Sequence, residues 1–443
     1  MINKYYLHRM ALIPAFLLLY FFATAQESTK VLVLDEVIKQ ATENNKTVTL
    51  AALDEKISVS NYKETQATYL PQVNFSYTAA TTNNPLYAFG YKLQQESITP
   101  NDFNPQVLNN PSATSDFMTK LELQQPLLNM DLLYMRKSAL KQTELYHYKT
   151  ERTKEYITFQ AKKAYLELQL AYESKNVLED ALKTSRAMYK FTSDRVQQGL
   201  LQKSDLLNAD VQIKSLENNL AEANSNIKNI SDFLSQLMNT GKGVIYTTEP
   251  LNAATATAKT DSLPADRADF KAMETAMQSY DLMIKSSKMS YLPRLNAFAN
   301  YQFNDNTALG FGSNAYLAGI QLSWSIFKGN QTRNKIATQN LERDKLAEQL
   351  ASQKDEGNLE LSKAYRQLED AQYKIAQQKT AVDQADEALR ILQNRYQQGL
   401  VNTTDVLMAQ TQLSQQKLGY AGAVFANNVT VAYLQFLTST TNQ

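Results

Sequence analysis

The 443-residue chain contains no cysteine, so neither a disulfide framework nor a lipid-modified N-terminal cysteine can form. It has only two histidines, which leaves the usual nitrogen and sulfur ligands of a metal site essentially absent. The sequence also lacks a glycine-rich phosphate loop and a recognisable pairing of a nucleophile with a base. We therefore expect no metal, no cofactor and no enzymatic activity.

An excess of one charge is lacking as well. The 45 Lys and Arg residues nearly balance the 44 Asp and Glu residues, for a net charge of +1. Proteins that bind nucleic acid need a strongly basic surface to neutralise phosphates. Nucleic acid is therefore excluded as a partner.

Long hydrophobic runs are scarce, and the longest covers residues 10–22. Basic residues precede this run, and an Ala-Thr-Ala sequence follows it, an order typical of a cleaved signal peptide. The alternative is a membrane anchor, but a spanning helix needs about 20 apolar residues, and this run is shorter and contains Pro14. We predict a signal peptide over residues 1–25.

One segment of the chain occurs twice, 200 positions apart. It reads R-V-Q-Q-G-L-L-Q-K-S-D-L-L from Arg195 and R-Y-Q-Q-G-L-V-N-T-T-D-V-L from Arg395. Residues of the first copy that recur at this offset are Arg195, Gln197, Gln198, Gly199, Leu200, Asp205, Leu207, Ala209 and Gln212. The repetition predicts a duplicated unit of helix, tight turn and second helix.

Apolar residues around both turns follow the alternating spacing of three and four that forms a coiled-coil seam. After the first turn the seam residues are Leu206, Ala209, Ile213, Leu216, Leu220, Ala223, Ile227, Ile230, Leu234 and Leu237. The second copy keeps this register but has the polar residues Gln416, Asn427 and Thr430 on its seam. No proline interrupts residues 131–198, so an unbroken helix there would reach roughly 100 Å.

Four segments instead alternate apolar and polar residues with a period of two, at residues 72–80, 114–126, 295–303 and 316–326. Such alternation is typical of membrane β-strands with lipid on one side and water on the other. A soluble sheet with one buried face is the alternative. Four strands cannot close a barrel, so in a membrane they must be shared between chains, and a trimer would supply twelve.

The connections divide the chain into two similar halves, about 35–238 and about 266–438. We expect residues 81–113, rich in Asn and Pro, to form a long loop between the first two strands. Residues 239–265 are predicted to be an irregular link that forms a small belt and not a second domain.

In its order of signal, strand pairs and duplicated hairpins, the chain resembles the TolC-like outer-membrane efflux family. Specific matches are the two R-x-x-x-G-L-x(4)-D-[LV]-L turns, the two Y-L-P sequences ahead of strands, and D-E-V-I-K-Q-A-T-E-N-N from Asp35. The resemblance implies a mainly α-helical fold with membrane β-structure. It also implies a homotrimer in the lipid of the outer membrane, with a twelve-stranded barrel continued by a long helical barrel in the periplasm of a Gram-negative cell.

The resemblance further implies an exit channel of a tripartite efflux or type I secretion system. Such a channel is a passive duct that docks on a periplasmic adaptor protein, which recruits an inner-membrane pump. The docking surface would comprise the turn tips, namely Arg195, Gly199, Leu200, Asp205, Arg395, Gly399 and Leu400. Gln202 is a poor helix cap, so Ser204 is an alternative that would shift the start of the following helix.

Family members close the periplasmic end with rings of tyrosine, arginine and aspartate on the second hairpin. Tyr396 and Asp405 match this pattern and are therefore the expected periplasmic gate residues. The arginine position is Val401 and the second aspartate position is Met408, so the gate's network of bonds is incomplete. A ring of Asp405 side chains could still select for cations.

Two other classes remain as alternatives. A periplasmic adaptor would be expected to carry one hairpin between β-rich domains, whereas this chain predicts two hairpins and paired strands. A structural coiled-coil protein of the cell envelope would need neither the strands nor the long loop. The exported substrate and the energy source of the pump have no signature in the sequence.

Overall fold

The computed structural model describes residues 29–255 and 259–440, and the expected signal peptide lies outside them. The α-helices are α1 (Leu34–Asn44), α2 (Lys46–Glu64), α3 (Pro85–Gln94), α4 (Pro105–Asn109), α5 (Met130–Gln197), α6 (Lys203–Met238), α7 (Ala268–Met289), α8 (Gln331–Gln397) and α9 (Thr403–Leu437). The strands are β1 (Thr29–Val31), β2 (Gln72–Thr82), β3 (Thr114–Leu128), β4 (Ile245–Thr247), β5 (Arg294–Asp305) and β6 (Ser313–Ser323). None of these described helices combines the length and apolar character needed to cross a membrane.

The described residues fall into two compact units. The first, the hairpin unit, takes its residues from 29–48, 154–261 and 360–437. The second, the sheet unit, takes them from 49–153, 262–359 and the residues after 437.

Both predicted helical hairpins are present. Helix α5 runs without a break for 68 residues and α8 for 67, and each is followed after a short turn by a helix of about half that length. The predicted seam of α6 is buried at Ala209, Ile213, Leu216, Ile227, Leu234 and Leu237. Burial of this stripe is what favours the helices, because helix propensity alone is a weak contribution.

One polar seam position of α9 serves a specific purpose in the hairpin unit. Asn427 is fully buried, and its amide donates to the carbonyl of Ala254 at 3.1 Å. The neighbouring Asn428 accepts from the Ala254 N–H at 2.7 Å and donates to the carbonyl of Asn252 at 2.7 Å. These side chains therefore hold the segment that links the two halves.

The linking segment is more regular than predicted. Strand β4 lies within it and pairs in parallel with β1, in the register Thr29 to Ile245. Tyr246 of β4 is buried, and its carbonyl accepts a hydrogen bond from the Tyr172 hydroxyl at 2.8 Å. The sequence did not reveal this strand because three residues are too few to display an alternating pattern.

The sheet unit contains the four predicted strands in one antiparallel sheet of order β2-β3-β5-β6. The first three strands start within one residue of their predicted positions and extend two residues further at their ends. The fourth lies earlier than predicted, at Ser313–Ser323, so Trp324 and Ile326 lie beyond it. In the sequence, the alternation of apolar and polar residues continues beyond Ser323, the last paired residue of the strand. The prediction based on that alternation therefore placed the strand too late.

The long loop expected over residues 81–113 does connect the first two strands, but α3, a 3₁₀ turn and α4 lie within it. Asn84 caps α3 by accepting from the Leu86 N–H at 3.1 Å, and Pro85 occupies the first helical position. Asn104 and Pro105 start α4 in the same way. These two Asn-Pro pairs are therefore helix starts, since Asn is a good cap and proline loses nothing at the first helical position, whereas Asn110-Pro111 lies after α4 in the connection to β3.

Candidate functional site: the hairpin tips and the two-faced sheet

The first hairpin turns at Gly199, whose φ of +74° lies in the left-handed region that favours glycine. The N–H of Leu200 donates to the Arg195 carbonyl at 2.9 Å, and the N–H of Gly199 donates to the Val196 carbonyl at 3.0 Å. This pair of bonds is the Schellman motif, which satisfies carbonyls left without partners at a helix end.

The second hairpin repeats the turn. Gly399 has a φ of +77°, the Leu400 N–H donates to the Arg395 carbonyl at 3.0 Å, and the Gly399 N–H donates to the Tyr396 carbonyl at 3.0 Å. The recurrence of glycine in the sequence thus has a backbone cause in both copies. Leu200 and Leu400 follow the glycines and are 65% and 69% exposed. Each tip therefore presents a leucine that the described residues leave mostly exposed.

The helices after the turns start at equivalent residues, Lys203 and Thr403, so Ser204 does not shift the start of α6. The carboxylate of Asp205 accepts from the Gln202 N–H at 3.3 Å, and that of Asp405 accepts from the Asn402 N–H at 3.0 Å. Both aspartates thereby satisfy a backbone donor and place a negative charge at a helix N-terminus.

The two tips differ in how they use their arginines. The guanidinium of Arg195 donates to the Gln397 carbonyl at 2.7 Å and lies over the ring of Phe191, 4.6 Å from its centroid. The acceptor is at the C-terminal end of α8, where a positive charge is favourable. Arg395 is exposed, and no hydrogen bond or ion pair joins its guanidinium to another residue in the described part of the chain. Arg195 thus connects the two tips, whereas Arg395 is available to a partner.

Tyr396 lies in a cluster between the hairpins and is only 1% exposed. Its hydroxyl is 2.8 Å from the Thr192 hydroxyl and 2.9 Å from the Thr403 hydroxyl. We call this arrangement the tyrosine bridge. Sequence reasoning missed both threonines. The available signal was a departure from the repeat, because Val196 and Lys203 occupy the positions that correspond to Tyr396 and Thr403 in the first copy.

The remaining gate positions lie in different surroundings. Asp405 is exposed, and no hydrogen bond joins it to Tyr396 within the described residues. Val401 packs against the cluster that holds Tyr396, whereas Met408 is exposed. The structure therefore places Asp405 and Met408 on the surface, and Tyr396 and Val401 in packed positions.

In the sheet unit, side chains of opposite polarity occupy the two faces of the sheet. The register aligns Phe75, Leu121, Tyr301 and Tyr316 across all four strands, and in the same way Val73, Leu123, Ala299 and Ala318. The other face carries Ser76, Lys120 and Gln302 in one row, with an ion pair between Lys120 and Glu122. One face is thus suited to hydrocarbon and the other to water.

The end of α3 lies on the polar face. The Gln95 amide donates to the Ser115 carbonyl at 2.8 Å and to the Asp116 carboxylate at 2.9 Å, and the Ser313 hydroxyl donates to the Gln94 carbonyl. Asn304, buried beneath, donates to Asp116 at 2.8 Å. We call residues 83–113 the polar-face cap, because their contacts lie on the polar face of the sheet. The polar groups of Asp116, Asn304 and Ser313 beneath the cap are hydrogen-bonded.

Within the polar-face cap, an ion pair joins α3 to the 3₁₀ turn at Pro100–Phe103. The Lys92 ammonium donates to the Asp102 carboxylate at 2.6 Å, and Thr99 donates to it from both its N–H and its hydroxyl at 2.7 Å. The Lys92 ammonium and the Thr99 donors lower the pKa of Asp102 to about 2. Within the described ranges, no cluster of three or more acidic or histidine side chains could hold a metal ion.

Comparisons with known proteins agree with this geometry. The family model described as outer membrane efflux protein matches residues 37–240 and 261–438. The chain is similar to the CusC channel structure at 16% identity and a TM-score of 0.78, with 92% of each chain covered. It is similar to VceC from Vibrio cholerae at 16% identity and a TM-score of 0.74, with 92% of this chain and 97% of VceC covered.

A third similar structure is the open state of the Neisseria gonorrhoeae MtrE outer membrane channel, at 16% identity and a TM-score of 0.73, with coverage of 91% of this chain and 88% of MtrE. At such identities the structural likeness establishes the fold. No curated protein sequence matches the chain significantly.

Proposed function

The chain belongs to the outer membrane efflux protein family, and we propose that it is the exit duct of a tripartite export system. As a member of this family it is an outer-membrane channel and not an enzyme. The finer proposal is that three copies assemble, that their hairpin tips dock on a periplasmic adaptor, and that an inner-membrane pump drives export. The match over both halves also argues against the adaptor and structural coiled-coil alternatives.

The observation that carries the proposal is the sheet with two polarities and two free edges. Among the residues that the structure describes, strands β2 and β6 each pair on one side only. In hydrocarbon an unpaired strand edge costs several kcal/mol for each unsatisfied group, so the edges must meet other chains. Three copies would give twelve strands with the apolar faces outward and the polar faces around a water-filled interior.

The tips supply the support for docking. Leu200 and Leu400 are exposed at the two turns, and the guanidinium of the exposed Arg395 has no hydrogen bond or ion pair among the described residues. Exposed leucines held on rigid turns, with a cation nearby, form a small apolar contact surface with a charged rim. We propose that Arg195, Gly199, Leu200, Asp205, Arg395, Gly399 and Leu400 together present this surface to the adaptor.

Two measurements test the proposal in turn. Purified protein in mild detergent should have the mass of a trimer, and the trimer should dissociate on heating. A stable monomer that keeps its strand content would refute the shared barrel. The double variant Leu200→Asp with Leu400→Asp should still form trimers but lose export of a toxic compound in cells that depend on this channel. Full export by this variant would refute docking through the tips.

A further inference from the structure

The connection between β5 and β6 folds back onto the apolar face of the sheet. We call residues 306–312 the apolar-face turn. Phe311 packs edge to face on Phe303 with ring centroids 5.2 Å apart, and Phe303 packs on Tyr301 in the same way at 5.1 Å. The N–H of Leu309 donates to the Tyr77 hydroxyl at 3.0 Å. Because Tyr77 belongs to β2, the turn crosses the face from β5 to a strand two positions away.

The conformation of this turn is fixed by its own sequence. The Asp305 carboxylate accepts from the Thr307 N–H at 2.8 Å, the Thr307 hydroxyl at 2.7 Å and the Gly312 N–H at 2.8 Å. A Cβ atom at Gly310 would collide with this carboxylate, so glycine is required there. These hydrogen bonds therefore fix the backbone of the turn and with it the positions of its side chains.

The side chains that the turn holds outward are apolar. Leu309 is 73% exposed and Phe311 is 60% exposed. Leu309 also has a φ of +58°, a conformation in which glycine or asparagine is strongly favoured over a bulky residue. Its side chain makes few contacts with the described residues, so these contacts do not offset the unfavourable left-handed backbone conformation of the exposed leucine. An apolar environment outside the chain explains this choice.

We infer that the apolar-face turn inserts Leu309 and Phe311 among the lipid acyl chains of the outer leaflet and anchors the rim of the channel there. This inference rests on the proposed function, in which the apolar face of the sheet is turned to lipid. The turn lies over β3, between Tyr77 and Phe303, whereas neighbouring chains would join at the outer edges of β2 and β6. Lipid, and not a second copy, is therefore the occupant.

The two connections at this end of the sheet thus have opposite destinations. The polar-face cap covers polar groups on the face proposed to line the interior. The apolar-face turn extends the surface proposed to face hydrocarbon beyond the ends of β5 and β6. Thr119 lies between Tyr77 and Phe303 in the register, and Thr119 and Asn314 are the polar residues of this row of the apolar face.

Tryptophan fluorescence tests the inference directly, because Trp324 is the only tryptophan in the sequence. In a Trp324→Phe background, single tryptophans are introduced as Leu309→Trp, as Phe311→Trp, and at two reference positions on β6. Ile320→Trp reports the apolar face and Leu317→Trp the polar face, and both native side chains are exposed. The trimers are reconstituted in phosphatidylcholine vesicles with brominated acyl chains, and quenching by these chains is compared with quenching by aqueous acrylamide.

Leu309→Trp and Phe311→Trp should lose fluorescence to brominated lipid by a fraction comparable to Ile320→Trp, and acrylamide should quench them less than Leu317→Trp. If both turn tryptophans instead follow Leu317→Trp while Ile320→Trp is quenched by lipid, the anchoring inference is overturned and the barrel stands. If Ile320→Trp also escapes lipid quenching, the apolar face is not in the membrane, and the proposed architecture fails together with the inference. Phe311→Trp keeps an aromatic ring against Phe303 and covers the case in which Leu309→Trp misfolds.

Discussion

The hydroxyl oxygens of Tyr396 and Thr192 lie 2.8 Å apart, so a single buried hydrogen bond joins the second hairpin to the first just above the tips. The same tyrosine hydroxyl reaches Thr403, the first residue of α9, at 2.9 Å. Arg195 adds a second connection through the Gln397 carbonyl. The ends of the two hairpins in one chain are therefore held together by a few polar contacts around a packed aromatic side chain.

Tyr396→Phe removes the bridging hydroxyl and keeps the ring in its packed position. The two threonine hydroxyls lose a partner in a buried site, which costs on the order of 1 kcal/mol per bond. We expect the hairpin tips to separate more readily and the single-channel conductance in planar bilayers to increase.

Tyr365→Phe is the matched control for this prediction. The Tyr365 hydroxyl accepts from the Thr260 N–H at 2.8 Å, so the same substitution removes a hydrogen bond elsewhere in the hairpin unit. An equal conductance change in both variants would show that general loosening, and not the tyrosine bridge, is responsible.

Gly199→Val and Gly399→Val should impair export while trimers still assemble. A β-branched residue is strongly disfavoured at φ near +75°, so the tip must refold locally, at a cost of about 1 to 2 kcal/mol or more. A Cβ atom at Gly399 would come no closer than 3.6 Å to another group, so the strain is conformational and not steric.

Asparagine tolerates the left-handed region, so Gly199→Asn and Gly399→Asn should keep most of the export that the valine variants lose. The measurement is growth of a channel-dependent strain in an exported toxic compound. Normal growth of both valine variants would count against a docking role for the turns.

The polar-face cap should resist mild acid but not the loss of its ion pair. The pKa of Asp102 is lowered to about 2, from an unfolded value of about 3.9, so its stabilising effect is complete above pH 4 and is lost as the pH falls towards 2. We predict that protease cleavage within residues 83–113 is unchanged between pH 7 and pH 5. Asp102→Asn should increase this cleavage at pH 7.

Glu96→Gln provides the control for Asp102→Asn, because it makes the same charge change in the same segment at an exposed side chain without an ion pair. If Glu96→Gln increases cleavage as much as Asp102→Asn, the net charge of the segment matters and the Lys92 contact does not.

Much of this fold is determined by patterns that a single segment displays. The hairpins follow from a seam repeated over many turns, and three of the strands from ten or so alternating residues. The contacts of Tyr396 with Thr192 could not be predicted, since they join positions about 200 residues apart with no local pattern. The position of Asp405 at a helix start could be predicted because the turn beside it recurs at Asp205.

The polar-face cap and the apolar-face turn show a second limit. The same Asn-Pro pair starts a helix at Pro85 and at Pro105 but lies in an irregular connection at Pro111, so the pair alone does not distinguish a helix start from a loop. The left-handed conformation of Leu309 could not be predicted from the sequence. It depends on the hydrogen bonds that the Asp305 carboxylate accepts from the N–H groups of Thr307 and Gly312. Local composition predicts that such a segment turns, but the contacts that it makes decide onto which face it folds.

The gate prediction concerns Asp405. Threefold assembly would bring three copies around one axis, where like charges raise the negative potential and attract cations. The simpler role is already visible, because the Asp405 carboxylate accepts from the Asn402 N–H at 3.0 Å, and a charge at a helix N-terminus contributes roughly 0.3 to 1 kcal/mol.

Asp405→Asn separates the two roles, since the amide oxygen can still accept from Asn402 while the ring loses its charge. We predict a lower cation preference in planar bilayers and little change in the temperature at which the trimer dissociates. Asp205→Asn alters the equivalent cap of the first hairpin, where the carboxylate accepts from the Gln202 N–H at 3.3 Å, and should leave selectivity unchanged. Equal cation selectivity in wild type and Asp405→Asn would leave Asp405 with the capping role alone.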